Sequence, residues 1–124
     1  LDRFLIISLG AIVGANLRYW VGDWVAQRLG TAFPFGTLIV NLTGTLILGI
    51  FITLATERFL FDPRWRVLIA IGFCGSYTTF SSYTYESVNL ILTGQPVSGF
   101  VNLFGSAVLG SLVMLLGIYI GRLI

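Results

Sequence analysis

The chain has 124 residues, 56% of them hydrophobic and only 10% charged, with a formal net charge of +2 and a mean hydropathy of +0.95. A soluble domain carries about 25% charged residues, so this composition puts most of the chain in a membrane and excludes a basic nucleic-acid-binding face. With no His and a single Cys, His-based acid–base catalysis, His-ligated metal sites and an internal disulfide are excluded as well.

Four apolar spans are predicted, each long enough to cross a hydrocarbon core, which takes ~20 residues. The first runs from Phe4 to Ala26. It is too long for a signal-peptide core, and further spans follow it. Gly10 and Gly14 form a GxxxG pair that suits close helix packing in lipid. Arg18 lies well inside this span, with Asp23 five residues on. It reads either as a structural ion pair or snorkelling Arg, or as a group that attracts anions at a vestibule.

The connection "QRLGTAFP" ends in Pro34, which suits a helix start. The second span runs from Phe35 to Thr56 and carries Thr37, Asn41 and Thr45 at intervals of four. Each step of four turns about 40° around a helix, so the three form one slowly winding polar stripe. The charged loop "ERFLFDPRWR" follows.

The third span, Val67 to Leu92, contains "GSYTTFSSYTYE", with six Ser and Thr hydroxyls, three Tyr and Glu86 in twelve residues. A Gly among hydroxyls, here Gly75 before Thr78 and Thr79, is a place where a membrane helix breaks. Broken backbone at depth is tolerated only when buried in protein or lining a cavity. The free carbonyls of a break suit a hard cation such as Na⁺. Its free N–H groups and the restarted helix suit a small anion.

The turn "TGQP" leads to the fourth span, Val97 to Leu123, where Asn102 and Ser106 repeat the polar spacing of four. Ser106 with Gly110, and Gly117 with Gly121, add small-residue pairs for helix packing. The polar stripes read either as interhelical hydrogen bonding or as the lining of a path. No linker or repeat divides the chain, so residues 1–124 read as one domain, an all-α integral membrane protein. Four helices alone make a thin bundle, which predicts a homo-oligomer. In a four-span arrangement Arg3, Arg58, Arg64, Arg66 and Arg122 share one side and Arg28 has the other. That bias predicts a single orientation with the Arg-rich side cytoplasmic.

"GAIVGANLRYW", "GTLIVNLTGTLILG" and "GFCGSYTTFSSYTYE" resemble the small fluoride channels of bacteria, the Fluc or CrcB family. The resemblance covers all four spans. It implies an antiparallel, dual-topology homodimer in the cell inner membrane, in tension with the Arg bias. It implies a central structural Na⁺ held by the backbone carbonyls of Gly75 and Thr78. It also implies two fluoride paths at the dimer interface, lined by Phe80, Tyr83 and Asn41 and continued by Ser81, Thr37 and Glu86, with Ser106 and Asn102 beyond. The family pattern has Phe where this chain has Tyr83. The added phenol would either bind fluoride directly or turn away to protein.

The function so implied is passive, selective export of cytoplasmic fluoride, with membrane lipid and a second copy of the chain as the only macromolecular surroundings and no enzymatic chemistry. Two other classes fit a short four-span chain. One is a proton-coupled exporter, for which Glu86 is the only deep carboxylate. The other is a non-transporting membrane interaction protein whose polar stripes only join helices.

Overall fold

The computed structural model describes residues 1–59 and 61–124, and every described element is helical. Helix α1 spans Asp2–Leu29 and ends at Gly30, whose φ of 83° only glycine adopts without strain. Helix α2 spans Phe35–Thr53 and is prolonged by a π-helical turn, Leu54–Arg58. A continuous helical run then begins with α3, Pro63–Trp65. Pro63 is in its first turn, and the Asp62 side chain caps it by accepting the Arg64 N–H. The run continues through a nine-residue π-helical segment, Arg66–Cys74, into α4, Gly75–Tyr77. After an interruption come α5, Phe80–Leu92, a tight turn at Gly94 (φ 90°) and α6, Pro96–Leu123, with Pro96 in its first turn.

Three helices among the described residues are long and apolar enough to cross a membrane: Asp2–Leu29, Phe35–Arg58 and Pro96–Leu123. Each outruns the predicted span at one or both ends. The predicted third span, Val67–Leu92, is not one helix. Its two halves meet at Thr78 (φ −81°, ψ 156°) and Thr79 (φ −145°, ψ 119°), both extended. Gly75, the residue that sequence composition singles out, has ordinary helical angles (φ −63°, ψ −30°). The interruption lies three residues later, where two β-branched threonines favour extended backbone.

The helices pack without a large apolar core. Val25, Val40, Cys74, Tyr77 and Leu90 are the buried apolar side chains, while Phe4, Leu9, Trp20, Leu112 and Leu115 are exposed. Lipid tails solvate such side chains as well as Leu does, so close van der Waals contact between backbones has to hold the bundle. Glycine provides it. Helix α2 is central, packing on α1, on α6 and on the run that ends at Tyr77. Gly117 lies against the Leu46 carbonyl and Gly49 of α2, and Gly121 against Thr53. Gly10 and Gly14 seat α1 on the backbone of Leu68–Tyr77. At the Arg-rich end, Arg122 closes the bundle with a two-pronged pair to Glu57 (2.9 and 3.0 Å).

Gly10→Val tests this packing. A Cβ at position 10 would lie 2.8 Å from the Phe73 nitrogen and 2.9 Å from the Gly72 carbonyl carbon, neither of which can rotate away. The expected loss is about 1–3 kcal/mol of stability in detergent-based unfolding. Gly22→Ala, where a Cβ meets nothing within 4 Å, is expected to stay within about 0.5 kcal/mol.

Candidate functional site

The interruption at Thr78–Thr79 organises the polar residues. A helix that stops leaves its last carbonyls and the next helix's first N–H groups without partners. Side chains supply them here. Thr78 turns both its N–H and its hydroxyl onto the Cys74 carbonyl (3.1 and 2.8 Å). Thr79 caps α5 by accepting the Ser82 N–H (3.2 Å), the role for which Thr before a helix is preferred. Asn41 of α2 holds Thr79 itself. Its amide oxygen accepts the Thr79 N–H (2.7 Å) and its amide nitrogen donates to the Thr79 carbonyl (3.0 Å).

That pair fixes the orientation of the Asn41 amide and uses one of its two N–H donors; the second remains available. Gly44, one turn along α2, lets the break come close. A side chain there would meet the Tyr77 ring and the Thr78 methyl group. Tyr77 adds a second tie. The Thr43 hydroxyl donates to the Ile39 carbonyl (2.8 Å), so the Tyr77 phenol, 2.9 Å away, donates to Thr43. Thr45, the third residue of the predicted stripe, makes no side-chain hydrogen bond among the described residues.

Two adjoining cavities follow the break on the α1 side. One, of about 240 Å³, is lined by Arg18, Tyr19, Thr79 and Ser82 among others. The next, of about 340 Å³, is lined by Phe33, Glu86 and Asn89 among others. Gly22, Gly36 and Thr37 belong to both, so they form one groove between α1, α2 and α5. Thr37 donates to Glu86 across it (2.7 Å). Arg18 is half-buried at its start. It makes no ion pair with Asp23, which accepts from Gln27 instead (2.9 Å). Five residues along a helix is a turn of about 140°, so Arg18 and Asp23 face different ways.

The opposite side of α5 is joined to α6. Asn102, buried, donates to the fully buried Ser87 (2.8 Å). Ser87 donates to the Tyr83 carbonyl (2.7 Å), and Ser106 to the Asn102 oxygen (3.1 Å). The Tyr83 phenol donates to the Leu103 carbonyl. The predicted residues therefore fall into three groups. Asn41 sits with the break, Thr37 and Glu86 line the groove, and Tyr83, Asn102 and Ser106 join α5 to α6. Phe80 and Ser81 stand apart at the start of α5, exposed on the protomer surface. The Phe80 ring lies 5.8 Å from that of Tyr83.

Composition gave no role to Thr79 or Ser87, although both carried a signal. Thr79 lies three residues before Ser82, the spacing at which a Thr caps a helix start, and Ser87 lies four residues after Tyr83 on the face that meets α6. No hydrogen bond among the described residues ends on the carbonyl of Gly75 or Thr78. These oxygens are of the kind that suits a hard cation.

Residues 5–118 match the family described as CrcB-like protein, Camphor Resistance (CrcB). The chain is 48% identical over 119 residues to a fluoride-specific ion channel FluC of Koribacter versatilis (strain Ellin345), covering 96% of this chain and 90% of that one. It is 41% identical over 124 residues to a protein of the same description from Sulfurihydrogenibium sp. (strain YO3AOP1), covering both completely. A third relative so described, from Trichormus variabilis (strain ATCC 29413 / PCC 7937), is 46% identical over 120 residues, or 96% of this chain and 88% of that one.

Asn41→Leu removes both partners of the buried Thr79 backbone and is expected to cost about 2–4 kcal/mol, read by equilibrium unfolding in mild detergent. Asn41→Asp keeps the acceptor and loses the donor, so about half that loss is expected. Thr45→Ala is expected to stay within about 0.5 kcal/mol.

Proposed function

The chain belongs to the CrcB family of membrane proteins, and from that membership we propose that it is a passive, fluoride-selective ion channel. The observation that carries this reading is the naming of relatives, 41–48% identical over nearly the full chain, as fluoride-specific ion channels. These relatives are named as channels, not enzymes, and the reading contains no covalent step.

In this reading residues 1–124 form one unit that crosses the inner membrane four times, the third crossing being the interrupted run from Pro63 to Leu92. Two copies, inverted relative to one another, enclose two pores. Features of the protomer support a second copy. Phe80 and Ser81 are exposed beside the break. The small-residue face of α6 around Ser106, Ala107, Gly110 and Ser111 opens onto a groove rather than onto another helix of the same chain.

Fluoride is small and tightly hydrated, so a path has to replace water with close donors. The free N–H of Asn41, the Ser81 hydroxyl and the positive edge of the Phe80 ring supply them. Thr37, Glu86, Ser106 and Asn102 continue the polar lining on either side of α5. Arg18, at the start of the groove, raises the local anion concentration. Tyr83 contributes its ring while its phenol is engaged by Leu103. The free carbonyls of Gly75 and Thr78 fit a structural Na⁺ shared between two copies. Such an ion supplies positive charge that lowers the cost of an anion at low dielectric. The driving force is the fluoride gradient alone, and the outcome is exit of cytoplasmic fluoride.

Proteoliposomes loaded with potassium fluoride or potassium chloride and opened to potassium with valinomycin give the test. Fluoride release with retention of chloride, independent of any pH gradient, is the expected result. Flux only under a pH gradient would mean a coupled exporter, and no flux of either ion an interaction protein. Because the Tyr83 phenol is turned to α6, Tyr83→Phe is expected to keep selective flux. It should also lower stability by about 0.5–1.5 kcal/mol, the net value of one hydrogen bond.

A further inference from the structure

A cavity unconnected with the break lies at the Arg-rich end of the bundle. It holds about 340 Å³ between the first turn of α1 and the start of α3, lined by Asp2, Arg3, Ile6, Asp62, Arg64 and Val67 among others. Its charges are of both signs and only loosely paired. Asp62 accepts the Arg64 backbone N–H at 2.9 Å, but its closest approach to the Arg64 guanidinium is 4.0 Å. Asp2 and Arg3 are in no ion pair among the described residues. Ile6 and Val67, both half-buried, give the cavity an apolar wall. Trp65, Phe59 and Phe61 are exposed at the same end. Trp beside Arg marks the level of the lipid headgroups.

The mixture of charges selects an occupant. Two arginines alone would accept any phospholipid phosphate. Two carboxylates in the same space disfavour a purely anionic headgroup and offer acceptors to an ammonium. We propose that this cavity binds the headgroup of an aminophospholipid, phosphatidylethanolamine. The phosphodiester lies between Arg3 and Arg64, whose forked guanidinium donors match phosphate oxygens. The primary ammonium reaches Asp2 and Asp62. The glycerol and the first acyl carbons lie on Ile6 and Val67. The apolar wall and the interfacial level favour the lipid over soluble phosphoethanolamine, which has the same polar groups and no chains. This site does not depend on the channel reading.

The test is titration of the full-length chain, in mild detergent, with phosphatidylethanolamine, phosphatidylcholine and phosphatidylglycerol, with bound lipid counted by native mass spectrometry. Phosphatidylethanolamine is expected to bind roughly fivefold more tightly than phosphatidylglycerol, the scale of an exposed ion pair. Phosphatidylcholine, whose ammonium has no N–H to donate, is expected to bind more weakly than phosphatidylethanolamine. The double substitution Asp2→Asn and Asp62→Asn should erase the preference for phosphatidylethanolamine over phosphatidylglycerol; Asn at position 62 still caps α3. Arg3→Gln with Arg64→Gln should weaken both lipids. Unchanged melting in lipid-free detergent separates loss of the site from misfolding. Equal or tighter binding of phosphatidylglycerol by the unaltered chain, or a preference that survives the Asp substitutions, overturns the proposal. Displacement of the lipid by an equal concentration of phosphoethanolamine also overturns it, assigning the cavity to a soluble ligand.

Discussion

A residue that leaves a helix where it is packed against other helices has no water to satisfy its backbone groups, and this constraint falls on Thr79, which is buried. Its N–H and carbonyl would each cost about 1–3 kcal/mol if buried without a partner. Asn41 removes that cost from another helix, its one amide accepting from the N–H and donating to the carbonyl of the same residue. Little else at the site is independent of this contact. It sets where α5 restarts, and with it the angular positions of Phe80, Tyr83, Glu86 and Ser87. It also ties the interrupted run to α2, the helix on which α1 and α6 pack.

Helix α5 is then fixed from both sides by different chemistry. Toward α2 the link is a hydroxyl on a carboxylate, Thr37 on Glu86. Toward α6 it is a relay of neutral groups, Ser106 to Asn102 to Ser87 to the Tyr83 carbonyl. Adjacent residues on a helix point about 100° apart, which is why Glu86 and Ser87 serve opposite neighbours. A short helix held in this way is a rigid support. Donors on rigid elements keep their geometry when water leaves, which is what makes them effective toward an ion.

Three of the four predicted spans match single helical runs to within three residues at each end, because apolar runs and Pro–Gly punctuation are local properties. Two members of the predicted α2 stripe, Thr37 and Asn41, meet α5 and the residue that starts it, because a step of four stays near one face; Thr45 makes no side-chain hydrogen bond among the described residues. The exact place of the break was not legible. Composition points to Gly75, but Gly75 is helical, and the chain opens at Thr78 and Thr79. That position depends on an acceptor and donor brought by Asn41 from 38 residues away, a tertiary fact. The partner of the Tyr83 phenol was hidden for a related reason. It is the backbone carbonyl of Leu103, and a carbonyl leaves no trace in residue type. Arg18 and Asp23 show the opposite error, where nearness in sequence suggested a pair that helix geometry forbids. Phe80 carried a role only through family resemblance, and Ser81 as one hydroxyl of a polar cluster; both are exposed on the protomer.

On the channel reading, the division of charge along the site has a physical logic. An ion that is to pass has to be held closely enough to enter and weakly enough to leave. The groups next to the break, Asn41, Ser81 and Phe80, are neutral, with only partial positive charge toward an anion. The one full cation of the groove among the described residues, Arg18, lines the cavity beside the break together with Thr79 and Ser82, and half-buried there it draws anions to that end of the groove. The one carboxylate, Glu86, is turned onto the Thr37 hydroxyl, which takes up part of its acceptor capacity. A second cation in the middle of the path would bind fluoride too firmly to release it, and an unpartnered carboxylate there would repel it. Neutral donors at the break, with a single cation beside them and a carboxylate already bonded to a hydroxyl further along the groove, are an arrangement that meets both demands.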